Sequence, residues 1–153
     1  MIKRATKEDI PFVNSVLGDD SVFPFASDDY TDVNIRWKAG EILLNRPEIW
    51  VLISNEYTVF VLNPLNPILY EVHTSILTGG RGRKGIEAGK ETIAWFFNNS
   101  PAQKIISFIP EFNRPARIYA RACGMKKEGV VTKSYFKFGK LHDQIIVGIE
   151  KEQ

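Results

Sequence analysis

Apolar positions recur along the chain with a period near 3.6 residues in some stretches and near two in others, and each switch of period marks an element. Ile2–Ala5 reads as a short first strand. Thr6 then serves as an N-cap with Glu8 and Asp9 in the first turn. Phe12, Val13, Val16 and Leu17 form the stripe of a first helix, which Gly18 ends. Asp19–Asp28 holds Phe23, Pro24 and Phe25 and reads as an apolar loop. A second helix is predicted from Ser27–Asp29 onward, because Tyr30, Val33, Trp37, Glu41 and Leu44 fall at helical spacing and Pro47 limits its end.

Ile49–Ile53 and Tyr57–Leu62 read as a hairpin, followed by a strand over Ile68–Leu77. Ile86–Phe97 is predicted as a helix, and Lys104–Ile109 as a short strand closed by Pro110. Pro115 suits the first turn of a further helix and Gly124 its C-terminal end. Val130–Phe138 and Gln144–Ile149 form a last hairpin. The order β-α-α-β-β-β-α-β-α-β-β predicts an α/β (α+β) fold, with a mixed central sheet of about seven strands flanked by about four helices. Both outer segments supply strands, so residues 1–153 are expected to form one domain.

Composition narrows the class. The chain has 153 residues, 44% hydrophobic and 25% charged, which is ordinary for a globular protein with a real core. Twenty basic against eighteen acidic residues leave a formal charge of +2, too small to argue for nucleic acid. The one cysteine, Cys123, excludes an intrachain disulfide and fits a reducing compartment. The N-terminal MIKRATKEDI lacks the apolar region of a secretory signal, and no apolar run spans a membrane. A cytoplasmic protein, in a bacterial cell or an infected host, is the expectation. His73 and His142 are the only histidines and no cluster has metal-ligand spacing, so no metal is expected.

The sharpest feature is TGGRGRKGIEAG, Thr78–Gly89, which links a predicted strand to a predicted helix. Five glycines and three basic residues, Arg81, Arg83 and Lys84, occupy its twelve positions. A helix N-terminus offers unpaired N–H groups and a partial positive charge, and glycines let a ligand come close, so the chemistry suits a pyrophosphate. The P-loop pattern fails because Lys84 precedes Gly85, and the Rossmann fingerprint fails because the loop follows the fourth strand. The plain alternative is a solvated basic turn. No aromatic platform interleaves with the charge, so nucleic acid is not expected.

The chain resembles the GNAT superfamily of N-acetyltransferases in four stretches taken in order. IKRATKED looks like that family's first strand and helix start. RGRKG, Arg81–Gly85, looks like its acetyl-CoA loop in the Arg-Gly-x-x-Gly/Ala form found in GNAT-like proteins of bacteriophages. NRPARIYARACGM, Asn113–Met125, looks like its Asn-x-x-Ala helix, and GKLHDQIIVGI like the last hairpin of the branch that acetylates ribosomal-protein N-termini.

The resemblance implies an acetyl-CoA-dependent N-acetyltransferase that transfers an acetyl group to a primary amine, on a small molecule, a protein N-terminus or a lysine. Backbone groups near Ile76, Leu77 and Thr78 would hold the pantetheine. The N–H groups of Arg81, Gly82, Arg83, Lys84, Gly85 and Ile86 would hold the pyrophosphate, and Asn113 would contact the cofactor. Glu71 and His73, two apart on one strand, are the base candidates; the alternative is that both are ordinary sheet residues.

The family's tyrosine, seven positions after its Asn, is replaced by Ala120. Tyr119, roughly 100° around a helix from it, is the candidate acid or else a packed aromatic. Phe23, Phe25, Tyr30 and Trp37 fall in the acceptor-side region, either as a groove wall or as packing. Asp19, Asp20, Asp28, Asp29 and Asp32 give that side an acidic cast that would attract an amine or simply cap local turns. A second function class stays open: a non-catalytic protein of the same fold, such as a bacteriophage assembly or virion-associated factor. Partners beyond acetyl-CoA and the amine would be a homodimer mate or another protein, with no nucleic acid and no membrane.

Overall fold

The computed structural model describes residues 1–153. Seven strands and five α-helices follow one another as β1 (Lys3–Arg4), α1 (Ile10–Leu17), α2 (Phe23–Ala26), α3 (Ala39–Leu44), β2 (Trp50–Asn55), β3 (Thr58–Pro64), β4 (Leu69–Ile76), α4 (Arg83–Asn99), β5 (Lys104–Pro110), α5 (Arg114–Ala122), β6 (Lys126–Lys137) and β7 (Lys140–Glu150). Single turns of 3-10 helix lead into α1 and α3 and stand at Thr78–Gly80. The seven strands and the mixed sheet are those the hydrophobic pattern predicts. No helix is long and apolar enough to cross a membrane.

One sheet runs β1-β2-β3-β4-β5-β7-β6. All its neighbours are antiparallel except β4 and β5, which are parallel and joined by the crossover helix α4. The two faces are covered separately. Leu52, Phe60, Leu62, Tyr70, Val72 and Ile105 pack under α4 and α5, with Phe96 fully buried at the centre. Val51, Val59 and Val61 pack under α1 and α3 around Val13 and Val16. Period-two alternation along β4 therefore sends Tyr70 and Val72 to the α4–α5 face, and Glu71, His73 and Ser75 to the α1–α3 face.

The predicted second helix does not form across its length. Asp28 and Asp32 accept from the N–H groups of Tyr30 and Asn34 (3.0 and 2.9 Å), and these local bonds compete with a helical ladder. Tyr30 leaves to stack on Phe136 of β6, with centroids 5.3 Å apart, while Trp37 lies beside Gly18 at the end of α1. Only Ala39–Leu44 is left as an α-helix. In turn, the apolar loop read over Asp19–Asp28 contains a helical turn, α2, which is the fifth helix.

β4 pairs with β3 over Tyr70–Ile76, and β5 with β7 along its whole length. To each other they pair only at Leu69↔Lys104, Tyr70↔Ile105 and Glu71↔Ile106. Ser107 Oγ donates to the carbonyl of Val72 at 3.2 Å just past the last pair. Beyond it no further pair joins the two strands, so the sheet has an opening in its pairing between Val72–Ile76 and Phe108–Pro110.

Candidate functional site

The opening has a defined chemistry. Ile68, two residues before Tyr70, turns its carbonyl toward β5, where it accepts from Gln103 N–H at 2.8 Å. Alternation then directs the N–H and C=O groups of residues 72, 74 and 76 to the same edge. The Val72 carbonyl is taken by Ser107 and the Ile76 carbonyl by Arg81 Nε at 3.1 Å. The peptide groups of Thr74 and the N–H of Ile76 face the opening without a strand partner. An extended chain carrying amides can dock there as an extra strand does. Thr74 belongs to this edge and went unnoticed in the sequence, because strand divergence leaves no residue signature.

Next to the opening is the start of α4. Arg83, Lys84 and Gly85 form its first turn, three residues ahead of the predicted start at Ile86. The Ile86 N–H bonds back to the Gly82 carbonyl at 3.1 Å, so the N–H groups of Arg83, Lys84 and Gly85 are left without helical partners. No side chain caps this end, and its first turn carries two cations and no acid. That combination opposes the helix dipole and is costly for a structural terminus. It suits one that receives an anion.

Two glycines shape the cradle. Gly82 has φ 81° and ψ −143°, a conformation essentially reserved for glycine. Gly85 sits so close to the 3-10 turn that a Cβ there would lie 2.8 Å from the Gly80 carbonyl oxygen.

The predicted basic residues divide. Arg83 and Lys84 are exposed, with Lys84 Nζ 4.9 Å from the centre of the Tyr57 ring. Arg81 is committed to protein. It donates from Nε to Ile76 O and from Nη2 to Ser21 O (2.7 Å), tying the end of β4 to the loop before α2. Leu77 N–H is spent on Tyr57 O (2.9 Å), and Arg81 N–H on Thr78 O (3.3 Å). Asn113 caps α5, its Oδ1 accepting from Ala116 N–H at 3.2 Å.

Glu71 and His73 lie together on the α1–α3 face. His73 Nε2 is 3.5 Å from Glu71 Oε1; the histidine is largely exposed and the carboxylate mostly covered. The far half of that face, over β5 and β7, carries no helix. It is bounded by α2 and its flanks, which dock on the β6–β7 hairpin. Lys137 Nζ donates to Pro24 O at 2.8 Å and to Ser27 O, and the Asp29 carboxylate accepts from Gly139 N–H at 2.8 Å.

The wall side chains have mixed fates. Phe23 packs against Arg36, whereas Phe25 is exposed. All five aspartates of this side are engaged: Asp19 with Ser21, Asp20 with Arg36, and Asp28, Asp29 and Asp32 with turn N–H groups. The acidic cast is largely turn chemistry.

Tyr119 points into α4. Its hydroxyl donates to Gly85 O at 2.9 Å, and a Cβ on Gly89 would lie 2.5 Å from the Tyr119 hydroxyl oxygen. Burial, then the neighbouring Cys123, pushes the phenol well above its ordinary value. Cys123 is buried as well, and burial raises its thiol. Both residues serve the close packing of α5 on the loop-bearing end of α4. Ala120 is buried in the core. No group of three or more ligand-type side chains could hold a metal ion.

The whole chain superimposes on solved N-acetyltransferase structures. One is the ribosomal-protein-alanine N-acetyltransferase of Brucella melitensis, with TM-score 0.75, 19% identity and 99% of each chain covered. Another is the ribosomal-protein-S5-alanine acetyltransferase of Vibrio fischeri, with TM-score 0.78, 13% identity, and 99% of this chain and 93% of that one covered. A third is yncA of Salmonella typhimurium, solved with its cofactor acetyl-CoA, with TM-score 0.74, 13% identity, and coverage of 100% and 94%. At these identities the likeness is one of fold. No curated protein matches the sequence. Residues 40–152 match the family described as "Protein of unknown function (DUF2824)". The chain therefore belongs to the DUF2824 family, and it carries the GNAT fold.

Proposed function

We propose that the protein is an acetyl-CoA-dependent N-acetyltransferase acting on a primary amine, borne by a small molecule, a protein N-terminus or a lysine. The observation that carries this reading is the unpaired edge of β4 opening beside the uncapped, glycine-cradled N-terminus of α4. A pantetheine arm needs amide partners along an extended path, and a pyrophosphate needs N–H groups. The two lie side by side here. Acetyl-CoA, when bound, supplies an activated acyl group and a thiolate leaving group.

The chain's own residues do the rest. The N–H groups of Gly82–Gly85 bind the pyrophosphate, with Arg83 and Lys84 adding charge. Thr74 and Ile76 align the pantetheine along β4. Arg81 fixes the end of β4 against the acceptor-side loop. Asn113 keeps its amide nitrogen available while its oxygen caps α5. Glu71 and His73 receive the proton of the attacking amine, with the carboxylate 3.5 Å from the imidazole Nε2 and so placed to orient it. Holding both reactants in one cleft supplies the effective concentration that acyl transfer requires.

Tyr119 supports a second reading, a non-catalytic protein of the same fold such as a bacteriophage assembly or virion-associated factor. A phenol held above its ordinary value and donating to a helix carbonyl is a poor proton donor to a departing thiolate. One titration separates the readings. Acetyl-CoA should raise the melting temperature of the wild type, and Arg83→Glu should abolish that rise while leaving the ligand-free protein folded, with the helix terminus relieved by about 0.3–1 kcal/mol. Absence of any ligand shift would overturn the proposal. A ligand shift without turnover on a broad amine panel would favour the second reading.

A further inference from the structure

α5 carries a basic stripe that takes no part in the site above. Arg114, Arg117 and Arg121 fall at i, i+3 and i+7, so they share one side of the helix. At 100° per residue that side is nearly opposite Ala116, Tyr119 and Cys123. Of these, Tyr119 and Cys123 pack against α4 beside the phosphate cradle. With Lys126 and Lys127 of β6, the three arginines line a groove of about 450 Å³ between α5 and the β6–β7 hairpin. Five of the chain's twenty basic residues thus stand in one place. None of the five makes an ion pair. Arg117 Nε is buried with no acceptor. Arg117 thus keeps a buried N–H that no group of the chain accepts, and the four exposed cations around it give a partner's carboxylates a local positive potential.

The floor says what kind of partner. It is aliphatic, formed by Met125, Ile145 and Val147, and Ile118 stands among the arginines 57% exposed. A nucleic-acid backbone would satisfy the cations and leave Ile118 without a counterpart, and the groove has no aromatic ring to stack a base. A polypeptide carrying both carboxylates and apolar anchors satisfies both sets, with a central apolar contact inside a charged rim. Along α5 the stripe runs from Arg114 to Arg121, a rise of about 10 Å, or two helical turns of a ligand laid against it. We propose that this groove docks an acidic amphipathic segment of a partner protein, with carboxylates on the arginine rim and an apolar side chain on Ile118. The inference is independent of the acetyl-transfer reading, since the groove lies on the far side of α5.

The test uses the full chain and a fluorescein-labelled 16-residue peptide with leucine at every third or fourth position and glutamate elsewhere. Anisotropy should show saturable binding at 50 mM salt that weakens at 300 mM. Arg114→Glu/Arg121→Glu, both at exposed positions, should weaken it at least tenfold, and Ile118→Ser should weaken it several-fold; unchanged melting curves certify the fold. Acetyl-CoA binding should be the same in all variants. No binding of the peptide overturns the proposal. Binding of a 20-base-pair RNA duplex that is lost in the double arginine variant but indifferent to Ile118→Ser also overturns it, by assigning the groove to phosphate backbones.

Discussion

Gly82→Ala isolates the backbone requirement of the proposed phosphate cradle. An added Cβ at Gly82 meets no atom within 4 Å, so the substitution introduces no clash. What it meets is φ 81° with ψ −143°, a conformation that costs an L-residue about 1–3 kcal/mol. A stiffer unfolded chain offsets about 0.4–1 kcal/mol of that, leaving a net loss near 1–2 kcal/mol. For a chain of this size, each kcal/mol lowers the melting temperature by about 2–4 °C. The expected drop is therefore about 2–8 °C. If the turn instead relaxes, stability returns, but the N–H groups of Arg83, Lys84 and Gly85 are re-aimed and the acetyl-CoA shift disappears.

The matched control is Gly129→Ala. An added Cβ there also meets nothing within 4 Å, and its φ lies outside the positive range. It should leave stability unchanged or slightly raised, and ligand binding intact. Denaturation midpoints and acetyl-CoA thermal shifts on both variants give the answer. If Gly82→Ala matches Gly129→Ala in both, the conformational reasoning about the cradle is refuted.

Three further outcomes are expected. Arg81→Ala removes two charge-assisted bonds to backbone carbonyls, Ile76 O and Ser21 O; about 1–2 kcal/mol of stability should go, with faster hydrogen exchange at residues 19–22. Unchanged exchange there would show that Arg81 does not brace the loop. Tyr119 has a phenol raised by burial, so its neutral form is favoured in the folded state, and the stability it supplies is complete below pH 10 and falls as pH rises past it. Tyr119→Phe should therefore show a shallower alkaline decline in urea midpoint than the wild type, and equal declines would contradict the assignment. The Asp9 carboxyl is held below its ordinary value by the Thr6 N–H and then Lys3, so its contribution is present above about pH 4 and fades as pH falls below it. Asp9→Asn should flatten the acid limb of the stability curve, and an unaltered limb would rule the contribution out.

Most of the sheet was legible because runs such as Ile49–Ile53, Tyr57–Leu62 and Ile68–Leu77 are rich in branched and aromatic residues and are bounded by turn residues. The second helix was misread because periodicity counts apolar positions without asking where they are drawn. Tyr30 and Trp37 have aromatic and glycine surfaces to cover in opposite directions, on Phe136 and beside Gly18, and Asp28 and Asp32 take the N–H groups a helix would have needed. Tertiary neighbours and local side-chain bonds outweighed a correct spacing.

The candidate site divides along a similar line. Glycines report backbone geometry, so the left-handed turn at Gly82 and the close approach at Gly85 could be read from the chain, while what they bind is proposed. Proton transfer depends on where a side chain points, and a residue letter does not carry that. Tyr119 stands one place before Ala120, the position where the resemblance expects a tyrosine, and its phenol turns into α4, where Gly89 makes room for its oxygen and Gly85 O accepts its hydrogen bond. Catalysis by this chain would therefore rest on Glu71 and His73 at the amine, with the thiolate departing unassisted by a phenol.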